Sequence, residues 1–352
     1  MVYRVLDANF DRLREGLRVL EEVARFLLDH GALTERLKRL RHDLSAIEAG
    51  LEYAGLSARA AATDVGAPLA LPTETKRLGL AELVQANAKR VQEALRALEE
   101  FGKLEAMAGR VDSEKLGRAR FQAYELEREL VDLVLRREKV QAIQGLYAIV
   151  DRQALRDRDP VAVTEQIIAG GAQVVQWRDK VSDKGAVLST ARALKEVCQR
   201  ANALFIVNDH ADVTILCGAD GVHVGQKDLP VAELRRMLPV GMLIGCSANN
   251  LPEALKAQAD GADYLGVGTI YATGTKADTR PAGLEVLRAI KEAVSIPVVA
   301  IGGISHDNIG EVMQTGVDGA AVISALLGAE DVAEATRRMV ALMAQGSRRG
   351  QG

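Results

Sequence analysis

Eight short apolar segments, recurring roughly every 20 to 30 residues between Gly145 and Ser324, constrain the fold of this chain more than any other feature. Helical patterns separate them, and this alternation is typical of βαβ units with a parallel sheet. Eight parallel strands close into a (β/α)₈ barrel; a doubly wound open sheet is the alternative, which the regular units disfavour. The segments lie near 145–151, 173–178, 203–207, 219–224, 242–247, 263–268, 297–302 and 319–323.

Nearly every strand candidate ends in a polar or glycine-rich cluster. Barrels of this type build their active sites at the carboxyl ends of the strands, so these clusters are predicted to share one mouth. They are QWRDK (176–180), ND (208–209), GQKD (225–228), CSAN (246–249), TGTK (273–276), GG (302–303) and IS (323–324).

The length of the chain indicates a second domain, because its 352 residues exceed the ~250 that a barrel needs. The first part reads as helix throughout, with Leu13 and Leu17 at the spacing of one buried helix face. We therefore predict an all-α helical domain over 1–140, an α/β TIM barrel over 141–345 and a disordered tail over 346–352.

Composition excludes several classes of protein. A net charge of −3 and a pI near 6.1 argue against a nucleic-acid-binding surface. No stretch approaches the ~20 apolar residues that span a bilayer, and the first residues lack the apolar core of a signal peptide. The three cysteines show no metal-ligand spacing, as expected for buried residues in a reducing cytosol. We expect a cytoplasmic protein with small-molecule partners, and a homo-oligomer stays open.

The helical half contains an internal repeat. DANFDRLREGLRVLEE (7–22) aligns without gaps on QANAKRVQEALRALEE (85–100), and nine of sixteen positions are identical. These positions form either a solvated face of ion pairs on a duplicated helix, or a pseudo-symmetric polar site whose arginines bind phosphate. The polar matches at three-residue steps are Asn9/Asn87, Arg12/Arg90, Glu15/Glu93 and Arg18/Arg96.

Two carboxylates at neighbouring strand ends predict a metal site. Asp209 follows the third strand candidate, and Asp228 follows the fourth. Oxygen ligands that leave room for water and phosphate suit a hard cation, which favours Mg²⁺. The alternative is that each aspartate only caps the helix that follows its strand.

Cations accompany these carboxylates. Gln176, Arg178 and Lys180 alternate along one face of a strand end and are predicted to point into the mouth, unless the run is only a solvated charge cluster. Lys276 lies in a loop whose threonines and glycine can offer hydroxyl and amide groups to an anion.

The last two clusters predict a phosphate pocket. Gly303 and Ser324 follow strand candidates seven and eight, where these barrels commonly hold a phosphate on backbone amides. Two anion sites facing one mouth suit a reaction that joins a phosphorylated molecule to one bearing a pyrophosphate.

In their order along the chain, the clusters resemble the thiamine-phosphate synthase (thiamine-phosphate pyrophosphorylase) family. This resemblance implies a transferase that condenses 4-amino-5-hydroxymethyl-2-methylpyrimidine diphosphate with (carboxy)thiazole phosphate, giving thiamine phosphate and pyrophosphate. It also implies a dissociative mechanism: pyrophosphate leaves, the aminopyrimidine delocalises the cation, and the thiazole nitrogen attacks. The stretches that carry it are QWRDK, FIVNDHAD, GADGVHVGQKDLP, IGCSANN, GVGTIYATGTKADT, AIGGI and VIS, all within 145–340.

The resemblance also implies the roles of individual residues. Its Mg²⁺ ligands fall on Asp209 and Asp228. Asn249 stands where the family often has His, and Gly274 where Pro is frequent. The implied pyrimidine-diphosphate contacts are Gln176, Trp177, Arg178, Asp179, Lys180, Asn208, Ser247 and Lys276, and the implied catalytic residues among them are Arg178, Lys180, Ser247 and Lys276. The implied thiazole-phosphate contacts are Thr273, Gly274, Thr275, Gly303, Ile323 and Ser324.

The helical half resembles an N-terminal domain that is fused to some of these synthases and regarded as a hydroxymethylpyrimidine-phosphate kinase. The repeat, LRHDL (40–44) and TDVG (63–66) carry this resemblance. It implies a bifunctional chain whose helical half uses ATP to make the diphosphate that the barrel consumes. No GxxxxGK[ST] motif locates ATP. The candidate kinase residues are Arg12, Arg90, Arg41, His42 and Asp64.

Two alternatives remain from the sequence. The barrel could be a sugar-phosphate isomerase or epimerase, although such enzymes need a base at the reacting carbon. The helical half could be a non-catalytic module that dimerises the chain or shields the barrel mouth.

Overall fold

The computed structural model describes residues 2–58, 77–272 and 282–350. The chain divides into two compact units, Met1–Leu135 and Arg136–Gly352. The first is helical and the second is a barrel, as the change in hydrophobic period predicts. The described residues contain no helix long and apolar enough to cross a membrane.

The helical unit is built from helices with one leucine-rich face. Leu13 and Leu17 on one helix and Leu95 on another have at most 1 % of their surface exposed, within one apolar core. The second helix begins after His30, whose Nδ1 accepts a hydrogen bond from the Leu33 amide at 3.2 Å. The elements are α1 (Val2–Glu22), a π-helical turn (Val23–Leu27), α2 (Gly31–Glu48), α3 (Glu52–Ala58), α4 (Leu80–Gly102), a 3₁₀ turn (Glu105–Met107) and α5 (Ser113–Val140).

The sequence repeat is a structural repeat. Its two copies are α1 and α4, which pack along each other so closely that a Cβ added to Gly16 would lie 2.7 Å from Val91 Cγ2. Asn9 and Asn87 are both buried, and each side-chain amide donates to the carbonyl four residues earlier, at 2.8 and 2.9 Å. These two equivalent asparagines therefore make the same contact in both copies.

The duplication extends into the second helix of each pair. Arg41 Nε on α2 lies 3.0 Å from Glu21 on α1, and Arg120 Nε on α5 lies 3.1 Å from Glu99 on α4. Glu21 and Glu99 are equivalent in the repeat, so α5 is the counterpart of α2. With this register, six of the seventeen positions in 35–51 are identical to those in 114–130.

A second polar contact is also repeated, with different chemistry. Arg14 donates two hydrogen bonds to the carboxylate of Glu48, at 2.8 and 2.7 Å. At the equivalent positions, Gln92 Nε2 donates to Glu127 at 2.6 Å. The helical unit is therefore two copies of a helix pair, and one copy has a cation where the other has a neutral amide.

The second unit is a closed barrel of eight parallel strands. The strands pair in chain order, and the first strand pairs with the eighth through Gly145↔Gly319 and the three following residue pairs, which excludes the open sheet. Each strand bound lies within two residues of the predicted one. The strands are β1 (Gly145–Asp151), β2 (Val174–Arg178), β3 (Leu204–Asn208), β4 (Gly221–Val224), β5 (Leu243–Ala248), β6 (Tyr264–Val267), β7 (Val298–Ile301) and β8 (Gly319–Val322).

Alternation along the strands builds two apolar layers. Outward residues such as Trp177 and Phe205 pack in the layer that contains the surrounding helices, whereas inward residues such as Tyr147, Val174 and Tyr264 fill the barrel. All three cysteines are free thiols; Cys198 and Cys246 are buried, whereas Cys217 is half-buried rather than buried as the sequence predicts. Inward residues near the carboxyl ends are thus the ones that can reach the mouth.

The barrel helices follow their strands, and the last one corrects the sequence prediction of a disordered tail. Residues 346–350 continue that helix: the Ser347 hydroxyl donates to the Met343 carbonyl at 3.1 Å, and a Cβ on Gly346 would lie 2.9 Å from the Gly310 carbonyl. The helices are α6 (Arg152–Leu155), α7 (Pro160–Ala169), α8 (Lys184–Arg200), α9 (Ala211–Cys217), α10 (Val231–Met237), α11 (Leu251–Ala259), α12 (Gly283–Ala293), α13 (Ile309–Met313), α14 (Ser324–Leu327) and α15 (Val332–Gly350).

Candidate active site at the barrel mouth

Strand β2 delivers an amide and a cation to the mouth. Gln176 and Arg178 are two residues apart on this strand, and both line the cavity at the carboxyl ends of the strands. A carboxylate oxygen of Asp151, at the end of β1, accepts a hydrogen bond from Arg178 and fixes the guanidinium. Trp177, which the resemblance implies as a diphosphate contact, faces the other way and is buried in the outer layer, so its side chain does not line the cavity.

The two residues after β2 stabilise its end. Asp179 is buried, and its carboxylate accepts hydrogen bonds from the amides of Val181 and Ser182, both at 3.0 Å. Burial alone would raise the pKa of Asp179, but these backbone hydrogen bonds outweigh it and hold the pKa below its usual value. Lys180 Nζ lies 3.1 Å from Asp209 Oδ2. Neither Asp179 nor Lys180 lines the cavity.

The predicted metal ligands lie at the ends of neighbouring strands, and neither caps a helix. Asp209 follows β3 with a left-handed backbone (φ 62°), and the next helix has His210 as its N-cap. Asp228 Oδ2 accepts a hydrogen bond from the Gly225 amide at 2.7 Å, and the N-cap of the next helix is Pro230. Within the described ranges no group of three or more His, Cys, Asp or Glu residues could hold a metal ion.

Five inward side chains from five strands form a continuous hydrogen-bonded chain. Gln176 Nε2 donates to the Tyr147 hydroxyl at 2.8 Å, and the Tyr147 and Tyr264 hydroxyls are 2.9 Å apart. His223 Nδ1 lies 3.2 Å from the Tyr264 hydroxyl, and His223 Nε2 lies 3.0 Å from Ser247 Oγ. The chain thus joins two residues that the sequence analysis singled out, Gln176 and Ser247.

The sequence patterns did not predict a role for the three central residues of this hydrogen-bonded chain. Tyr147, His223 and Tyr264 all line the cavity. Alternation along β4 could have predicted one of them. In GVHVG, His223 lies between outward Val222 and Val224, so its side chain points into the barrel.

The opposite wall of the mouth is made by the ends of β7 and β8. Gly302 and Gly303 have positive φ angles, 102° and 67°, and a Cβ on Gly303 would lie 2.8 Å from Tyr271 Cβ. Asn308 Nδ2 donates to the Gly303 carbonyl at 2.9 Å and fixes the turn. Ile323 and Ser324 complete this wall. Because only glycine fits here, backbone is exposed to whatever occupies the cavity.

The structure thus brings together part of the predicted set. Seven predicted residues share the cavity, and the remaining ones in the described ranges lie beside it or behind it. Thr273, Gly274, Thr275 and Lys276 lie outside the described residues. The seven are Gln176, Arg178, Asn208, Ser247, Gly303, Ile323 and Ser324.

The candidate residues of the helical unit differ in their exposure and in their partners. Arg12, Arg90 and His42 are exposed, and Arg90 donates to the Asn87 side chain at 3.4 Å. Arg41 is occupied by its ion pair with Glu21. Asp64 lies outside the described residues.

The fold and the mouth together define a (β/α)₈ enzyme whose cavity carries an amide, a guanidinium and a hydroxyl facing a glycine-lined wall. Residues 146–326 match the family described as thiamine monophosphate synthase, and residues 4–129 match the ThiD2 family. The chain belongs to the thiamine-phosphate synthase family, which makes it a transferase of thiamine biosynthesis.

Curated relatives align with this chain across both regions. A thiamine-phosphate synthase from Synechocystis sp. is 40% identical over 341 residues, which are 96% of this chain and 95% of the relative. One from Thermosynechococcus vestitus is 40% identical over 345 residues, covering 97% and 95%. The solved structure of thiamine phosphate pyrophosphorylase from Pyrococcus furiosus is 41% identical, with a TM-score of 0.54, and covers 58% of this chain and 96% of that one.

Proposed function

We propose that the barrel joins 4-amino-5-hydroxymethyl-2-methylpyrimidine diphosphate to (carboxy)thiazole phosphate at this mouth, forming thiamine phosphate and pyrophosphate, with loss of CO₂ where the thiazole carries the carboxylate. One observation carries the proposal: Gln176, Arg178 and Ser247 line the same cavity as the Gly302–Gly303 backbone. An amide can recognise the pyrimidine ring, a cation and a hydroxyl can bind the diphosphate, and a glycine-lined wall can receive the thiazole phosphate.

The proposed reaction is dissociative. The bond between the pyrimidine methylene carbon and the diphosphate oxygen breaks, and the electron pair leaves with the oxygen. The aminopyrimidine delocalises the positive charge, and the thiazole nitrogen then forms the new C–N bond with its lone pair. Arg178 and Ser247 donate to the departing oxygens, and Lys180 and Lys276 add positive charge. Gln176 holds the pyrimidine, and no general base is needed.

Asp209 and Asp228 are the proposed Mg²⁺ ligands. Neither carboxylate is used as a helix cap, and both offer hard oxygen donors at adjacent strand ends. Two protein ligands leave coordination positions for water and substrate phosphate, as Mg²⁺ prefers. When bound, Mg²⁺ neutralises charge on the leaving diphosphate.

Metal dependence tests this assignment. Thiamine phosphate formation from the two substrates is expected to stop in EDTA and return with added Mg²⁺. Asp209→Asn and Asp228→Asn should each raise the Mg²⁺ concentration for half-maximal rate by at least about tenfold, since each removes a charged ligand. The matched control is Asp212→Asn, because Asp212 is an exposed carboxylate paired with Lys184. Undiminished activity in EDTA would refute the Mg²⁺ role.

We also propose that the helical unit phosphorylates the pyrimidine monophosphate with ATP and so supplies the barrel. The match of residues 4–129 to the ThiD2 family and the full-length relatives support a shared role of the two regions. Because Arg41 is held by Glu21, we place phosphate binding on exposed Arg12 and His42 rather than on Arg41.

The kinase is tested on the full chain with two alternative substrates. Thiamine phosphate is expected both from the pyrimidine diphosphate and from the monophosphate plus ATP. Arg12→Met and His42→Ala should reduce only the second route, whereas Arg39→Met, at an exposed ion pair with Glu35, should reduce neither. Product from the diphosphate alone would instead support a non-catalytic helical module, and native mass measurements on the full chain would then test dimerisation.

A further inference from the structure

The hydrogen-bonded chain from Gln176 to Ser247 has a direction that its chemistry determines. A phenol has one proton to donate, and the Tyr147 and Tyr264 hydroxyls are fully buried, which raises the pKa of both and keeps them protonated. Tyr147 accepts from Gln176 Nε2, so its own proton goes to Tyr264, its other hydrogen-bond partner in the described parts of the chain. Tyr264 must then donate onward.

The direction propagates through the imidazole. Tyr264 donates to His223 Nδ1, so Nδ1 carries no proton and the ring proton sits on Nε2. His223 Nε2 in turn donates to Ser247 Oγ. The serine oxygen therefore accepts within the barrel, and its own hydrogen is free to point into the cavity that Ser247 lines.

Two glycines on neighbouring strands leave room for the hydrogen-bonded side chains. A Cβ on Gly245 would lie 2.5 Å from His223 Nδ1 and 2.4 Å from the Tyr264 hydroxyl. A Cβ on Gly266 would lie 2.9 Å from His223 Cε1. Strands β5 and β6 thus leave a slot for the imidazole, and alanine at either position would displace it.

We propose that His223 is a positioning residue, which holds Ser247 as a hydrogen-bond donor toward the leaving diphosphate in a tautomer set by Gln176 through the two tyrosines. The proposal rests on the proposed synthase reaction. It links the two ends of one substrate: the residue that would recognise the pyrimidine ring also orients the hydroxyl that would grip the diphosphate. Tyr147, Tyr264 and His223 act through Ser247.

Removing one hydroxyl from the hydrogen-bonded chain tests the proposal. Tyr264→Phe keeps the aromatic ring but removes the donor to His223 Nδ1. The imidazole can then adopt the other tautomer, in which Ser247 donates to the imidazole instead of the anion. We expect kcat to fall about 10- to 100-fold, the effect of one lost hydrogen bond to a charged group, with the KM for thiazole phosphate within twofold of wild type. Tyr147→Phe interrupts the hydrogen-bonded chain one residue nearer Gln176 and should also lower kcat.

A double-variant cycle separates this role from simple packing. In a Ser247→Ala background, Tyr264→Phe should have almost no further effect on kcat, because its target hydroxyl is gone. His223→Gln, whose amide can still donate to Ser247, should retain more activity than His223→Leu. The control is Tyr124→Phe, which removes a phenol hydroxyl from the helical unit. Thermal unfolding of each variant checks that the fold is kept.

The outcomes distinguish this inference from the synthase proposal. If the wild-type chain makes no thiamine phosphate from the diphosphate, the proposed reaction fails. If wild type is active but Tyr264→Phe lowers kcat equally with and without Ser247, the positioning role is overturned. A His223→Gln variant no better than His223→Leu would also overturn it.

Discussion

Both regions of this molecule carry polar residues at regular spacing, but they use them in opposite ways. In the helical unit, repeated arginines and glutamates pair with one another on a surface, as in Arg18–Glu22 and Arg96–Glu100, both at 3.0 Å. In the barrel, polar side chains at successive strand ends face a common cavity. Regular spacing of polar residues along helices therefore indicates a duplicated helix pair, whereas polar residues from several strands that line one cavity indicate a binding site.

The largest expected effect contrasts one arginine from each region. Arg178→Met removes a guanidinium that faces the cavity, so synthase kcat should fall by about 10²–10³-fold, as for the loss of one preorganised donor to developing charge. Arg96→Met removes an exposed guanidinium that is already paired with Glu99 and Glu100. Steady-state assays with the diphosphate substrate should show no change for Arg96→Met. Equal losses in the two variants would contradict the contrast.

A smaller effect tests the duplication. Glu21→Gln and Glu99→Gln each remove the carboxylate that neutralises a half-buried arginine, so each should lower the free energy of unfolding by about 1–3 kcal/mol. This loss in the free energy of unfolding is smaller than for a fully buried ion pair, because the side chains of Arg41 and Arg120 remain 23% and 16% exposed. Urea unfolding measures the losses. They should be similar, while synthase kcat of the folded protein stays unchanged; a loss in only one variant would argue against equivalent pairs.

The smallest effect concerns pH and lies in the barrel. The depressed pKa of Asp179 in the folded protein means that its carboxylate stabilises the fold above the pKa of the unfolded chain, ~3.9, and that this contribution disappears as pH falls through the folded value. Asp179→Asn keeps an acceptor but removes its charge, so it should lower stability at pH 7 by about 1 kcal/mol, with the difference vanishing in acid. Asp179→Ala, which lacks an acceptor, should retain a loss at all pH values.

The sequence predicted the barrel well because each strand carries its own signal. Alternating apolar runs ending in polar clusters located all eight strands, and the same alternation placed Gln176 and Arg178 in the mouth. It could not pair Tyr147 with Tyr264, because residues on β1 and β6 meet only after the barrel closes. Trp177 was implied as a substrate contact by the family resemblance, and its side chain lies on the outward face of β2; this contact stays a prediction.

The helical unit was predicted less completely for a related reason. The repeat of α1 in α4 is visible in the sequence, but its continuation into α2 and α5 rests on only six identities in seventeen positions. What reveals it is the matching of ion pairs, such as Arg41–Glu21 with Arg120–Glu99, which requires contacts between helices.

Fusing two copies of a helix pair into one polypeptide allows a kind of change that two identical subunits could not make. In a homodimer every substitution appears twice, so both ends of the assembly always carry the same charge. Here Arg14 faces Glu48 while neutral Gln92 faces Glu127. Both carboxylates have a cation nearby, but Glu48 pairs with the facing Arg14 at 2.7 Å, whereas Glu127 lies 3.9 Å from Lys89, one turn of α4 away from Gln92. The duplicated helix pairs have thereby acquired two chemically different ends.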